Sequence, residues 1–278
     1  MPALFAHYSF GEKVLSTLPA ALSENIQRFH EAFSLGTQGP DILFYHHPLK
    51  KNNTRAKGSE MHFLSGANFF LRQAKRLTLE NFVKRENGQL LPSSAEASYV
   101  AGFLCHFVLD VFAHPTVYAL QAMGIPHGRI ESEFDKHLLK KEGLPIRGSN
   151  FWQFLTMENS TDTACANILD VSIAEAQLSI KTMKKLNSWF SKKSPLFHTL
   201  IHSLLTIGGM EFKFGGMFIH KKDEPRCADT MLRLDDAYST AIPFASSLLE
   251  EYFYTLPEIV ENEHLNDFFQ NNYTGCSL

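Results

Sequence analysis

The chain has 278 residues, 44% of them hydrophobic and 20% charged, and a formal net charge of -3. That is long and apolar enough to bury a large core, and the slight acidity excludes a chain that grips long nucleic acid by charge. Its four cysteines (Cys105, Cys165, Cys227, Cys276) lie far apart with no Cys-x-x-Cys, which excludes a zinc ribbon or redox pair and points to free thiols in a reducing compartment. No basic, apolar leader opens the sequence and no run approaches about 18 apolar residues, so the expectation is a cytoplasmic chain without a transmembrane segment.

Helical periodicity runs along most of the sequence. SENIQRFHEAFSLG reads as a helix capped by Ser23 and ending near Gly36. LGTQGPDILFYHHP then places Asp41 in a turn before an apolar-aromatic run, and the next stretch predicts a helix over residues 59–77 with His62 near its start. SSAEASYVAGFLCHFVLDVFAHP carries Ser93 and, three residues on, Glu96, the pattern of a capping box. It is apolar all round, which predicts a central helix, with a break or kink at Pro115. HGRIESEFDKHLLKKEG follows, basic in its last turn and stopped by Gly143. In the second half STDTACANILDVSIAEAQLSIKTMKKLNSWF, LFHTLIHSLLTI, DTMLRLDDAYSTAIPFASSLLEEYF and LPEIVENEHLNDFFQ read as helices. A Gly-rich loop, GGMEFKFGGMFIHKKDEPR, lies among them, and FKFGGMFI in it can pair as a small hairpin. The expected fold is all-α, one domain over residues 1–278, with roughly eight to ten helices around a buried, metal-binding helix pair.

The apolar helix contains His106, Asp110 and His114 at four-residue spacing, a polar stripe turning by only about 40° per step. Unpaired burial of such groups costs several kcal/mol each. The next helix repeats the device with His127, Glu131 and Asp135, while Glu133 and His137 face elsewhere. One stripe alone also fits a hydrogen-bonded core pair. Two stripes on successive helices favour a shared divalent metal, because neutral imidazole nitrogen and carboxylate oxygen are both good zinc ligands. Asp41, His62 and His7 precede them, each a weak signal alone.

Taken together, HYSFG, GPDILFY, MH, HFVLDVFAH and HGRIESEFD resemble the bacterial zinc-dependent phospholipase C family, an all-α fold shared with single-strand-specific zinc nucleases. The likeness runs from His7 to about Asp135. It implies two or three zinc ions per chain. Asp41, His62, His106 and Asp110 would hold one, Asp110 would bridge to a second held by His7, and His114, His127 and Glu131 would hold another. The family also uses an N-terminal Trp on the bridged ion, whereas no Trp precedes Trp152 here. Asp135 has no ligand role in the family and is read as the carboxylate that fixes an imidazole tautomer.

The implied activity is attack of a zinc-activated water on a phosphodiester, with phospholipid head groups as the default substrate and Asp41 orienting or deprotonating the water. Ile42 stands where phosphatidylcholine-cleaving members carry an aromatic, which leaves Phe44 and Tyr45 as the nearest aromatic substrate contacts. Two other readings remain: a nuclease or nucleotidase on the same fold, and a non-catalytic, metal-stabilised binding protein. An open coordination position separates an enzyme from the latter. His46 and His47 are read as loop residues beside the site, and His198 and His202 as packing or surface residues.

Overall fold

A computed structural model describes residues 4–146, 148, 150–156, 159–191, 194, 196 and 222–276. Among them are eleven α-helices: α1 (Leu4–Thr17), α2 (Ala20–Gln27), α3 (His30–Gly36), α4 (Asn53–Met61), α5 (Gly66–Leu79), α6 (Ala95–Ala122), α7 (His127–Lys141), α8 (Asn159–Leu169), α9 (Ile173–Phe190), α10 (Ala228–Tyr254) and α11 (Leu256–Asn262). Short 3-10 helices occupy Gly39–Tyr45, Phe151–Phe154, Pro225–Cys227 and Asp267–Gln270. One antiparallel hairpin pairs β1 (Val83–Glu86) with β2 (Gln89–Pro92). The all-α class is as expected. The hairpin is an addition: its Asn87-Gly88 turn, with both residues at positive φ, is a strong two-residue hairpin signal that the helical reading passed over. The hairpin expected in FKFGGMFI, the helix LFHTLIHSLLTI, and His198 and His202 lie outside the described residues.

Helix α6 is the axis of the fold. Its 28 residues rise about 42 Å, and Asp110 is its only charged side chain after Glu96. By length and composition α6 could cross a membrane, but 78% of its most apolar window is buried inside the protein. Helices α3, α10, α8 and α1 cover it. Helices α3 and α6 meet backbone to backbone: a Cβ on Gly36 would lie 2.2 Å from the Tyr99 carbonyl oxygen, and one on Gly102 would lie 2.1 Å from that of Phe33. Any side chain there would push α6 away from α3, the helix that leads into the segment carrying Asp41.

Several element boundaries differ from the sequence expectation for local reasons. Ser94, not Ser93, caps α6 by accepting from the Ala97 amide, and Glu96 instead accepts from Asn167 Nδ2 of α8 at 3.2 Å. Pro115 does not end α6. Its missing N–H leaves the Val111 carbonyl without an intrahelical donor, and Gly275 packs there so closely that a Cβ would come within 2.8 Å of that oxygen. The helix expected over 59–77 is two helices, α4 capped by Asn52 and α5 capped by Ser65. His62 is therefore the C-terminal cap of α4 rather than a residue near a helix start. Helix α2 begins behind Pro19, so Ser23 lies inside it, its hydroxyl donating to the Leu15 carbonyl. The long segment 160–190 breaks at Asp170, and Ser172 with Glu175 forms the capping box of α9. All four cysteines are free thiols, three of them buried.

Candidate metal centre

Four segments converge on one point within the fold. Helix α1 brings His7, the 3-10 helix Gly39–Tyr45 brings Asp41, the end of α4 brings His62, and α6 brings His106 and Asp110. The chain reaches Asp41 by folding over the His106 ring. Gly39 makes that path possible: it has φ +51°, and a Cβ there would sit 2.2 Å from the ring. The ligand-type atoms crowd together. His62 Nε2 lies 3.0 Å from Asp41 Oδ1 and 4.0 Å from Asp110 Oδ2. His7 Nε2 is 3.3 Å from Asp110 Oδ1, and His106 Nε2 is 3.1 Å from Asp110 Oδ2. One helical turn further along, α6 and the start of α7 bring His114, His127 and Glu131 together. Glu131 Oε1 is 3.0 Å from His127 Nε2 and 4.0 Å from His114 Nε2.

The imidazoles are held in a defined orientation. His106 Nδ1 faces the Thr37 carbonyl at 3.1 Å, His62 Nδ1 that of Gly58 at 2.7 Å, and His114 Nδ1 that of Tyr273. His127 Nδ1 faces Gln121 Oε1 at 3.0 Å. A carbonyl oxygen only accepts, so each of these Nδ1 atoms must carry the proton. Each Nε2 is thereby left as the atom directed at the centre, able to ligate once any proton it shares with a carboxylate has left, the arrangement typical of metal-ligating histidines. His7 is oriented by packing, its ring stacked on that of His106 with centroids 4.2 Å apart.

Electrostatics keep the three carboxyls ionised. Burial alone would raise the Asp41 carboxyl, but the hydrogen bond and charge of His62 outweigh it and bring Asp41 to about 2. Burial alone would lower His62; the same partnership with Asp41 pushes it up to about 9. Asp110 is held well below the usual carboxylate range despite its burial, by the charges of His114 and His106. Burial pushes His106 down, favouring its neutral form. Glu131 is lowered against burial by the charge of His127.

These residues fit a divalent cation. Tetrahedral zinc with bonds of about 2.0–2.1 Å sets its ligand atoms roughly 3.4 Å apart, and the distances above bracket that spacing. Three groups have ligand atoms within 4.8 Å of one another: His7, His106 and Asp110; Asp41, His62 and His106; and His114, His127 and Glu131. His106 Nε2 and Asp110 Oδ2 approach to 3.1 Å yet make no hydrogen bond, and both are buried. Their electron pairs face the same space, as two ligands of one ion do. A family model described as zinc-dependent phospholipase C matches residues 6–194. The chain belongs to this zinc-dependent phospholipase C family. No curated protein and no solved structure matches it.

All eight residues expected as ligands thus come together. Two other expectations for this phospholipase C family member need correction. Asp135 fixes no imidazole: its carboxylate accepts from the amides of Ala6, at 2.8 Å, and Phe5, at 3.3 Å. These are first-turn donors of α1 that the helix itself cannot satisfy, so Asp135 anchors the helix that carries His7. Tyr45 does not face substrate either. It is buried, and its hydroxyl accepts from Asn187 at 3.5 Å. Phe44 does face the centre, lying over His62 with centroids 5.5 Å apart. It shares the wall of an open cleft of about 150 Å³ with Asp41, Ser59, His62, Phe63, His114, Tyr118, His127 and Glu131.

Tyr118 is the residue that sequence reasoning missed, although its signal was there. It continues the four-residue stripe His106, Asp110, His114 by one more step. His46 and His47 belong to none of the three groups, and Glu133 and His137 turn toward Arg129 and Asp235 as expected.

Proposed function

We propose that this chain is a metal-dependent phosphodiester hydrolase that acts on phospholipid at the cleft beside His114. The observation that supports it most is that two of the three His–carboxylate groups, through Asp41, His62, His114, His127 and Glu131, line one aromatic-walled cleft. Asp41, His62, His106 and Asp110 would hold one zinc, Asp110 and His7 a second, and His114, His127 and Glu131 a third. Zinc bound there supplies charge neutralisation for a phosphate and acidification of water to a pKa near about 7. Asp41 remains an anion at every physiological pH. It lines the cleft and accepts a hydrogen bond from the attacking water, orienting it. The Tyr118 phenol, kept protonated by partial burial, has a hydrogen to donate to a phosphate oxygen. Phe44 and Phe63 form apolar walls that limit the water around the ester.

The outer group also argues against a purely structural role. His127 keeps a side-chain exposure of 25% at the mouth of the cleft, which leaves room for an open coordination position. A reducing, cytoplasmic setting is part of the proposal, supported by the four free thiols.

The test is metal content per chain, followed by hydrolysis of p-nitrophenyl phosphorylcholine, p-nitrophenyl phosphate and single-stranded DNA. The expected result is zinc at two or more equivalents, with diester cleavage well above monoester cleavage. Asp41→Asn should lower that rate at least about a hundredfold. Fully metal-free protein with no diesterase activity after zinc addition would refute the proposal, and preference for DNA would move it to the nuclease reading.

A further inference from the structure

The mouth of the cleft carries an apolar rim more exposed than the chemistry inside it requires. On one side the turn between α4 and α5 exposes Phe63 at 61% and Leu64 at 51%. On the other, the last turns of α6 expose Tyr118 at 37% and Met123 at 69%. Phe63 and Tyr118 both line the cleft itself. Single exposed apolar residues are ordinary on protein surfaces, but Phe63 and Tyr118 flank one opening, and each has a further exposed apolar residue close by in sequence, Leu64 and Met123. The segment PTVYALQAMGIP, residues 115–126, has no charged side chain at all. The part of α6 that escapes the core is therefore uncharged, with Thr116 and Gln121 as its polar side chains besides the Tyr118 hydroxyl.

Cations stand behind this rim. Leu64 shares a second depression, of about 220 Å³, with Lys57, Arg72 and a single acidic residue, Glu60. Arg72 lies over the Phe69 ring at 5.7 Å, and Lys57 is partly engaged by Asp170 at 3.2 Å.

We infer that this rim docks on an anionic lipid bilayer, with Phe63, Leu64, Tyr118 and Met123 entering the interface and Lys57 and Arg72 meeting its head groups. The inference rests on the phospholipid reading of the cleft and gives that reading a surface. A folded partner seated on the rim would cover the opening. A bilayer seated on the same rim presents head groups to it. Aromatic and aliphatic side chains backed by Lys and Arg are the composition that interfacial binding uses.

The test is flotation of the zinc-loaded full chain with phosphatidylcholine vesicles, with and without phosphatidylglycerol. The wild-type chain should float with both, and more with the anionic vesicles. The double variant Phe63→Ser/Leu64→Ser changes only exposed apolar side chains. It should keep its zinc and its circular dichroism while its vesicle partitioning drops at least about tenfold. Met123→Ser, just past the end of α6, should drop it about threefold or more. Lys57→Gln/Arg72→Gln should weaken binding to the anionic vesicles about fivefold per charge at low salt, and leave phosphatidylcholine binding unchanged.

A wild-type chain that does not float overturns the inference. So does a Phe63→Ser/Leu64→Ser variant that floats as well as wild type, or one that instead converts a dimer to a monomer on gel filtration, which would give the rim to a second copy. The two proposals fail separately. Flotation without release of head groups supports the docking and removes the phospholipase, whereas head-group release without flotation does the reverse.

Discussion

His106 and His127 are both imidazoles placed four residues before a carboxylate on a helix, yet they sit in opposite surroundings. His106 is fully buried and its Nδ1 is fixed by a backbone carbonyl. His127 is a quarter exposed and its Nδ1 is fixed by the side chain of Gln121, itself exposed. The inner groups are thus part of the core, with their ligand atoms positioned whether or not an ion is bound. The outer group is part of the surface and depends on side chains that can rearrange. The same sequence motif on two helices yields one imidazole set in the core and one set at the surface.

Removing the inner imidazole is the strongest way to break this contrast. His106 is shared by two of the three groups, so His106→Ala should cost more than one zinc per chain and abolish hydrolysis. It also leaves the Asp110 carboxylate buried beside a void, a loss on the order of 3–5 kcal/mol in denaturant titrations. Full zinc stoichiometry in that variant would end the assignment.

His127→Ala should behave differently. One zinc is lost and diester hydrolysis falls at least about tenfold, while stability changes by less than about 1 kcal/mol because the site is at the surface. Equal destabilisation by the two variants would erase the distinction drawn here.

Titration sharpens the contrast further. In metal-free protein His62 is pushed up to about 9 by Asp41. A histidine raised on folding stabilises fully below its unfolded value, about 6.5, and that contribution fades as pH climbs toward 9. Asp41, lowered to about 2, stabilises above about 4 and loses that contribution as pH falls toward 2. The pair is therefore worth most between about pH 4 and 6.5. Zinc reverses the upper slope, since binding must expel the His62 proton. Zinc affinity measured by competition should rise about tenfold per pH unit for that proton, up to about pH 9. The smallest effect is expected for Gln121→Ala, which should weaken only the outer ion, by about tenfold.

Much of this centre was legible in the sequence because its ligands obey helical spacing. His106, Asp110 and His114 lie on one helix, His127 and Glu131 on the next, and periodicity alone puts each set on one face. The residues that orient them were not legible. Thr37, Gly58 and Tyr273 act through backbone carbonyls, and any residue type has one. Asp135 was visible as a member of its stripe, but its role was misread. It sits one turn past Glu131 in sequence, yet its carboxylate is taken up by two backbone amides at the start of α1. Tyr45 was misjudged for a similar reason, since neighbours in a 3-10 helix face different ways and only Phe44 looks into the cleft. The α4–α5 division was missed because the Asn52 and Ser65 caps lie outside, or in the middle of, the apolar pattern that guided the reading.

The hydrogen bond from His114 to the carbonyl of Tyr273 spans 159 residues of sequence. Every other part of the outer group is made while the ribosome is still on the first half of the chain. The ring of His114 acquires its partner only after the second half has been synthesised and has wound back past Pro115. The ring of the same Tyr273 lies 5.2 Å from that of His62 and 5.9 Å from that of His106, so a nascent chain halted before that point would lack one wall of the inner pocket as well as the partner of the outer imidazole.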